Sequence, residues 1–544
     1  MSEELCFLTI AEASRLIRDR TLSPVELTRA YLARIDAINP QLDAFITLTS
    51  DLALKQAHAA EKEIASGQYK GPMHGVPFGL KDMFDTKGIL TTGCSRILEH
   101  HVPRDDAETT ARLYAAGGVL LGKLTTHEFA HGGPSFDLPW PPARNPWNTG
   151  HFTGGSSSGS AAAVAAGLMP AALGTDTGGS IRSPAWLCGT VGLKPTFGRV
   201  SRVGVIPFSE SCDHAGPITW TVEDAAILLD VLSGYDARDR GSAQREPPRA
   251  QARLGGGIKG LRIGFLRHFS EEDVKVNSEL CEATDAALRV LADLGAAVED
   301  VRLRSLHDYY AVRVMLTESE QFSLHLKNLQ QRPGDYGEHF LGRCLPACLF
   351  TASNYLSAQR ERRRMIAEMQ PVYDEYDALI TVGAGPAPHL DDHKNIGATE
   401  WWLKPGMGAL ASVTGAPALA LSCGFSKSGL PLGFQIVGRP WEEATVLRIG
   451  HAYEKATQWR GRRPALTPNE NVAHKAPSDH GAAPVLDEAF RPIAAIAAER
   501  AGLKLTDHQF TVLLEQTPSA LALAARLPCD HGGADEMASA FRLF

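Results

Sequence analysis

The spacing of apolar residues divides the first half of the chain into a helical opening and a mixed region. Over residues 9–63 the apolar positions recur at helical spacing. Ser23 is expected to cap a helix that has Pro24 in its first turn, and Asn39-Pro40 is expected to end it. Over residues 71–216 short apolar runs alternate with glycine-rich turns and alanine-rich helices. This texture predicts a mixed α/β core.

The second half continues the alternation of helices and strands. Helices are predicted at residues 221–232, 277–294, 305–375 and 442–458. Buried strands are predicted at the apolar runs that begin at Leu261, Ala378, Ala418 and Leu432. The fold class predicted by this order of elements is α/β.

The composition changes near residue 465. Residues 463–485 are rich in Pro, Ala, His, Asn and Ser and have little periodicity, which predicts a linker. Beyond it, three short amphipathic helices are predicted at residues 489–501, 506–515 and 518–526. The chain is therefore divided into a domain of residues 1–465, a linker of residues 466–485 and a small helical domain of residues 486–544.

Charge and composition narrow the classes of function and location. The 544 residues include 54 Lys and Arg against 62 Asp and Glu, a net charge of −8, which gives no reason to expect nucleic acid or a membrane as partner. The start of the chain lacks the basic and apolar regions of a secretory signal, and the apolar stretch 161–173 is shorter than the roughly 20 residues of a membrane span. Nine cysteines form no CxxC pair. We therefore expect free thiols, a cytoplasmic location, and neither metal nor cofactor.

Three short segments carry the candidate chemistry: residues 75–82, 153–160 and 174–184. In the third, Gly178 and Gly179 can turn the chain so that successive backbone N–H groups point inward, an arrangement that stabilises an oxyanion. Ser180 would stand at the mouth of this loop as a nucleophile. A glycine-rich anion-binding loop or a tight turn would have the same composition.

Lys81 follows an apolar run at the predicted end of a buried strand. Most lysines are solvated, and a Lys-Asp pair is usually a surface feature. At a buried strand end, however, desolvation disfavours the charged amine. A neutral amine could take the proton of a serine, and the hydroxyl-rich run 153–160 lies between ordered elements, where buried hydrogen bonding is expected.

A competing interpretation uses Ser157. Residues 155–159 match the G-x-S-x-G pattern of α/β-hydrolases, whose triad needs an acidic residue and then a histidine downstream. Asp213, His214 and His389 are available for these roles. The match falls inside a hydroxyl-rich run, where it arises easily by chance. An α/β-hydrolase esterase that uses Ser157 therefore stays open as an alternative.

Taken together, the three segments resemble the amidase signature family. The run Gly-Gly-Ser-Ser-Ser-Gly-Ser at 154–160 and the run Gly-Thr-Asp-Thr-Gly-Gly-Ser-Ile-Arg-Ser-Pro at 174–184 are that family's hallmark. Residues 192–201 and 429–438 continue the likeness, which extends over about residues 8–465. The resemblance implies a central mixed β-sheet covered by helices on both faces. It also implies an enzyme that hydrolyses carbon–nitrogen bonds other than peptide bonds.

The resemblance also implies roles for single residues. Lys81 matches the family's base, Ser156 its bridging serine with a cis peptide bond, and Ser180 its nucleophile, which forms an acyl-enzyme. The implied oxyanion hole consists of the N–H groups of Thr177, Gly178, Gly179 and Ser180. Supporting roles are implied for Asp176, Arg182 and Ser157. Ala130, His131 and Gly132 match a stretch that lines the site, and substrate contact by His131 is a hypothesis because the family often has an apolar residue there.

The resemblance leaves the substrate and the partners open. Our main expectation is a small amide or carbamate (urethane) as substrate, and the alternative is a glutamine-amidohydrolase subunit of an amidotransferase. Trp401 and Trp402 are predicted either as exposed aromatic residues near the pocket or as half-buried packing residues. Residues 486–544 resemble the small helical subunit that accompanies some family members, here fused to the enzyme. A homodimer is common among such enzymes.

Overall fold

The computed structural model describes residues 2–396, 402, 404–470 and 486–528. Most of the predicted linker, Trp401 and residues 529–544 lie outside the described residues. In the described parts of the chain, no helix is both long and apolar enough to cross a membrane.

Eleven strands of the described residues form one mixed sheet. They are β1 Phe45–Leu48, β2 Pro77–Lys81, β3 Val119–Leu124, β4 Ala171–Asp176, β5 Val191–Lys194, β6 His214–Thr219, β7 Arg262–Phe265, β8 Ala297–Asp300, β9 Ala378–Val382, β10 Ala418–Phe425 and β11 Pro431–Gly438. Their order across the sheet is β1-β3-β2-β4-β6-β5-β10-β11-β9-β7-β8. Parallel pairs such as β2 with β4 and antiparallel pairs such as β4 with β6 both occur, so the predicted mixed sheet is confirmed.

Helices cover both faces of this sheet, as predicted. In the first half they are α1 Ser2–Leu5, α2 Ile10–Arg18, α3 Pro24–Leu42, α4 Ser50–Ala65, α5 Glu108–Ala115, α6 Ser158–Ala165, α7 Arg182–Cys188, α8 Val222–Leu232 and α9 Ala250–Arg253. In the second half they are α10 Ser278–Asp293, α11 Leu306–Gln331, α12 Glu338–Cys344, α13 Ala352–Glu375, α14 His393–Ile396, α15 Ala409–Thr414, α16 Glu443–Ala456, α17 Arg491–Arg500 and α18 Asp507–Ala524. The 3₁₀ turn Leu345–Leu349 follows α12 directly.

The start of the chain follows the prediction except around Pro40. Ser23 Oγ accepts the N–H groups of Val25 and Glu26 and so caps α3. The helix does not end at Pro40 but continues to Leu42, because a proline in the last turn removes only one hydrogen bond. The sequence pattern also missed β1, a four-residue strand between two helices.

The C-terminal helices differ from the prediction in number. Two helices, α17 and α18, replace the expected three, and α18 continues through Pro518. Its apolar residues, such as Leu513 and Leu514, are fully buried in the same hydrophobic cluster as the sheet core. Burial of this face keeps the helix continuous where a proline costs about 3 kcal/mol in isolation. The position of the domain boundary stays a prediction.

The parallel pairing of β2 with β4 determines where the candidate chemistry meets. Lys81 ends β2 and Asp176 ends β4, and parallel neighbours have their carboxyl ends at the same edge of a sheet. Ser156 lies just before α6, and Ser180 just before α7. All three predicted segments therefore converge on one edge of the sheet.

Candidate active site

Lys81 is fully buried at the end of β2. Its Nζ donates to Ser156 Oγ and to Thr175 Oγ1, each at 2.7 Å. Burial disfavours the charged amine and lowers the pKa of Lys81 to about 7, although Asp176 and Asp213 act in the opposite direction. A large fraction of this amine is therefore neutral near pH 7 and has a lone pair that can accept a proton.

Ser156 and Ser180 line the same cavity. A cis peptide bond joins Gly155 to Ser156, as the resemblance implied. The Ser156 carbonyl accepts the N–H of His127, and the Ser180 carbonyl accepts the N–H of Ser157, both at 3.2 Å. The backbone bonds thus tie the two serines to neighbouring segments and bring them to one place.

Ser157 points away from this cavity. It is fully buried, and its hydroxyl exchanges hydrogen bonds of 3.3 Å with the backbone carbonyl and N–H of Thr175. His214, a histidine that the G-x-S-x-G interpretation could use, contacts the Asp176 carbonyl and Lys194 instead. The geometry therefore gives Ser157 a structural place in the loop and does not set it up as a nucleophile.

The loop that carries Ser180 is braced by a buried ion pair. Arg182 donates to both carboxylate oxygens of Asp176, at 2.9 Å and 3.0 Å, and also to Gln435 and to the Gly408 carbonyl. Burial raises the pKa of Asp176, but the charge and hydrogen bonds of Arg182 outweigh it and hold that pKa well below its usual range. Asp176 and Arg182 thus pair beside the loop of Ser180, and their supporting role in catalysis stays a prediction.

The same carboxylate takes backbone N–H groups of the loop. Gly179 donates to Asp176 Oδ1 at 2.8 Å and Ile181 donates to Oδ2 at 3.1 Å. The N–H of Gly179, predicted as an oxyanion donor, is therefore already bonded. Gly179 has a φ of +126°, a conformation that favours glycine. Nearby, Thr177 Oγ1 donates to Asp213 and so ties the loop to the segment before β6.

The cavity has a volume of about 460 Å³, and three cationic side chains contribute to its lining. Arg313, Arg343 and Lys404 line it, and no Asp or Glu side chain from the described residues does so. Burial lowers the pKa of Arg343 only to about 10, so this guanidinium stays charged at neutral pH. A cavity with this lining attracts a negatively charged ligand, although the whole chain is acidic.

Of the three predicted substrate-contact residues, Ala130 and Gly132 line the cavity. The side chain of His131 lies behind the wall, where its Nε2 bonds Glu318. The Glu318 carboxylate also accepts a hydrogen bond of 3.2 Å from Arg343 Nη2. Burial lowers the pKa of His131 to about 4, so the ring is neutral and donates to the Glu318 carboxylate. His131 is thus linked to the cavity indirectly, through Glu318 and Arg343. Direct contact of His131 with substrate stays a prediction.

His127 lines the cavity but was missed by the sequence reasoning. Its ring stacks on Phe152 at 5.8 Å and packs against Gly155, where a Cβ atom would lie 2.3 Å from Nε2. Burial, reinforced by the charge of Lys81, lowers the pKa of His127 to about 3, so the ring is neutral. Its position shortly after β3, which is parallel to β2, was the available signal.

Trp402 is buried, and its Nε1 donates to the Gly342 carbonyl at 3.2 Å. This geometry fits the packing interpretation, whereas Trp401 lies outside the described residues. Within the described ranges, no cluster of three or more His, Cys, Asp or Glu residues is placed to hold a metal ion.

Comparisons with known proteins agree with this fold. The family model described as Amidase matches residues 26–447. A glutamyl-tRNA(Gln) amidotransferase subunit from Chloroflexus aggregans is 39% identical over 486 residues, which cover 85% of this chain and 99% of that protein. Among solved structures, a chain of an inhibitor-bound vestigial protein complex, described as revealing the evolutionary origins of an s-triazine catabolic enzyme, matches with a TM-score of 0.77 and 34% identity over 84% of this chain and 99% of that one. The peptide amidase of Stenotrophomonas maltophilia matches with a TM-score of 0.72 and 31% identity over 84% and 98% of the two chains.

Proposed function

Because the chain belongs to the amidase family, we propose that it hydrolyses the C–N bond of a small amide or carbamate by way of an acyl-enzyme on Ser180. The observation that carries this proposal is the 2.7 Å hydrogen bond from buried Lys81 to Ser156, which lines the same cavity as Ser180. A lysine with a lowered pKa beside a serine is a base able to start acyl transfer at neutral pH.

The proton path follows the order of these groups. Neutral Lys81 takes the proton of Ser156, Ser156 takes that of Ser180, and Ser180 Oγ attacks the carbonyl carbon. The negative charge that develops on the carbonyl oxygen is received by the N–H groups of Thr177, Gly178 and Ser180, for which no protein acceptor occurs among the described residues. Gly179 is left out of this set because Asp176 holds its N–H.

Collapse of the tetrahedral intermediate then breaks the C–N bond. The proton held by Lys81 returns through Ser156 to the leaving nitrogen, which departs as a neutral amine or ammonia. Water attacks the acyl-enzyme in the second half of the reaction and gives its proton to the same relay. The acid is released and Ser180 regains its hydroxyl.

The charge of the cavity supports a substrate that carries a carboxylate near the scissile bond. Guanidinium groups recognise carboxylates through paired, charge-assisted hydrogen bonds, and Arg313 and Arg343 both border the cavity. Arg313 also lies next to the loop of Ser180, because a Cβ atom on Gly178 would come within 2.8 Å of its Nη1. An anionic group held there would sit close to the reacting carbonyl.

A glutamine-amidohydrolase subunit is the second candidate, and the curated relatives favour it. The Chloroflexus protein is named as part of a glutamyl-tRNA(Gln) amidotransferase and aligns over almost its whole length. Glutamine carries a carboxylate, which suits the cationic lining. It also carries an α-ammonium group, for which the described cavity residues offer no carboxylate. The same proton relay would serve either substrate.

A panel of matched substrates tests both candidates. Purified chain is assayed with amides, carbamates and ureido compounds in pairs that differ only by a carboxylate or its methyl ester, and with glutamine. We expect the carboxylates to have at least a roughly tenfold higher kcat/KM than their esters. Preference for glutamine, and activity only in a complex with other gene products, would support the second candidate. Equal rates on acid and ester would overturn the anionic substrate.

A further inference from the structure

Residues 338–349 form a thin layer between the active-site cavity and the C-terminal helices. Helix α12 and the 3₁₀ turn Leu345–Leu349 make up this layer. One side presents Arg343 to the cavity. The other side packs against α17 and α18. In the described part of the chain, two very short helices thus separate the C-terminal helices from the cavity.

The inner side of the layer is joined to the substrate-binding wall. Arg343 Nη1 donates to the Gly132 carbonyl at 3.1 Å, and Nη2 donates to Glu318. The backbone of His339 packs closely against Gly132. A Cβ atom added to Gly132 would lie 3.1 Å from the carbonyl carbon of His339. A shift of this layer would move the guanidinium of Arg343 relative to the cavity.

The outer side is joined to the C-terminal helices by polar and apolar contacts. Arg500 Nη2 donates to the Cys348 carbonyl at 3.2 Å, and His508 Nε2 lies 3.9 Å from Glu338 Oε2. On the neighbouring helix α11, Gln330 Nε2 donates to the Ala501 carbonyl at 2.8 Å and so holds the end of α17. Leu345 and Cys348 belong to the same buried cluster as Leu513 and other apolar residues of α18. The layer thus rests on the C-terminal helices on its outer side.

We propose that α17 and α18 are a positioning element for substrate binding, which holds residues 338–349 so that Arg343 meets the anionic group of the substrate. Helices of one or two turns are not stable alone, so their position depends on what packs against them. The hydrogen bonds of Lys81 go to Ser156 and Thr175, outside this layer. The C-terminal helices therefore determine the affinity for substrate and leave the rate of bond cleavage unchanged. This inference rests on the proposed anionic substrate.

The test removes the hydrogen bond of Arg500 to the layer and that of Gln330 to the end of α17, and it keeps the full chain. The double variant Arg500→Ala/Gln330→Ala changes two exposed side chains, so the protein is expected to fold. Arg491→Ala is the matched control, because Arg491 lies on the same helix but bonds Glu488. KM and kcat are measured on the best carboxylate substrate and on its methyl ester. Hydrogen exchange of residues 338–349 is measured on the same variants.

We expect the double variant to raise KM for the carboxylate about threefold to tenfold, with kcat within about twofold of wild type. The ester should show no such change, and in an Arg343→Gln background the effect should vanish. Amides of residues 338–349 should exchange faster, whereas those of β2 should not.

Unchanged KM and unchanged exchange in the double variant would overturn the positioning role, provided that wild type hydrolyses the carboxylate. A fall in kcat with constant KM would overturn it as well. Failure of wild type to prefer the carboxylate would instead refute the proposed substrate. In that case faster exchange in residues 338–349 would still support the mechanical link, and unchanged exchange would reject it.

Discussion

Two groups of residues border the cavity, and they are held in different ways. The hydroxyl wall consists of Ser156 and the loop 176–182 that carries Ser180, with buried Lys81 behind Ser156. Its loop is braced by contacts between residues that are close in sequence. A backbone N–H group of the loop bonds the Asp176 carboxylate, and Arg182, six residues later, pairs with the same carboxylate. The cationic wall consists of Arg313, Arg343 and Lys404, long side chains that reach the cavity from three separate segments.

The difference separates the requirements of chemistry from those of recognition. Proton transfer and oxyanion binding need donors and acceptors held within a few tenths of an ångström, which short loops and buried ion pairs provide. Recognition of a charged group can use longer side chains, because electrostatic attraction acts over a longer range than a hydrogen bond. A few hydrogen bonds then fix the bound group. Changes in the hydroxyl wall should therefore abolish turnover, whereas changes in the cationic wall should mainly alter affinity.

The strongest test of this contrast is Ser180→Ala. Loss of the nucleophile should lower kcat by about 10⁴-fold or more, as for other enzymes whose activated serine is removed. Ser157→Ala is the matched control, because Ser157 is the serine next to Ser156 but lies outside the cavity; it should keep the nucleophile, although loss of its bonds to Thr175 will lower stability. Steady-state rates and trapping of the acyl-enzyme by mass spectrometry measure both. Full activity of Ser180→Ala would refute the assignment of the nucleophile.

The next largest effect is expected for Arg182→Met. This variant leaves the Asp176 charge buried without its partner, which costs about 3–5 kcal/mol of unfolding free energy. Arg302→Met is the control, since Arg302 and its partner Glu272 are both exposed and loss of this pair should change stability little. Urea unfolding measures both variants. Equal destabilisation of the two variants would show that the pair of Asp176 with Arg182 contributes no more to stability than a surface ion pair.

A smaller effect is expected for Arg343→Gln in the cationic wall. Loss of a charge-assisted contact should raise KM for a carboxylate substrate about 10- to 100-fold, with kcat nearly unchanged. The methyl ester of the same substrate is the control and should bind with similar KM to both proteins. If only kcat fell, Arg343 would act in bond cleavage and not in substrate binding, which would contradict the proposed difference between the two walls.

The two walls should also titrate differently. Lys81 has its pKa lowered to about 7 by burial, and its protonated form cannot act as a base. Since kcat/KM reports the free enzyme, it should fall about tenfold per pH unit below about 7, while Arg343, with a pKa of about 10, stays charged throughout. A pH–rate profile, recorded with a substrate that does not titrate in this range, measures this fall in kcat/KM. A flat profile down to about pH 5 would argue against a neutral lysine base.

Local patterns predicted the hydroxyl wall well. The apolar run before Lys81 correctly indicated a buried strand end, and the glycines around Ser180 indicated a tight loop. These features are encoded within a few residues of each other. The convergence of the loops on one edge came from the resemblance, because the sheet order that joins β2 to β4 depends on pairing between distant parts of the chain.

The cationic wall could not be predicted in the same way. Arg313 and Arg343 lie in a long helical region where most arginines are solvated, and only the packing of α11 and α12 turns them inward. The continuity of α18 through Pro518 has a similar origin, since the burial of its apolar face outweighs the local preference against proline. In both cases the deciding interaction joins residues that are far apart in sequence.

The layer of residues 338–349 has a consequence for how such an enzyme changes over generations. Substitutions at exposed positions are usually nearly neutral for stability, so a lineage can accumulate them without losing the fold. Because the exposed side chain of Arg500 bonds the back of this layer, and that of Gln330 bonds the end of α17, substitutions at such positions would affect the cavity. New substrate preferences could then arise on the outside of the molecule, with every residue that touches the substrate left in place.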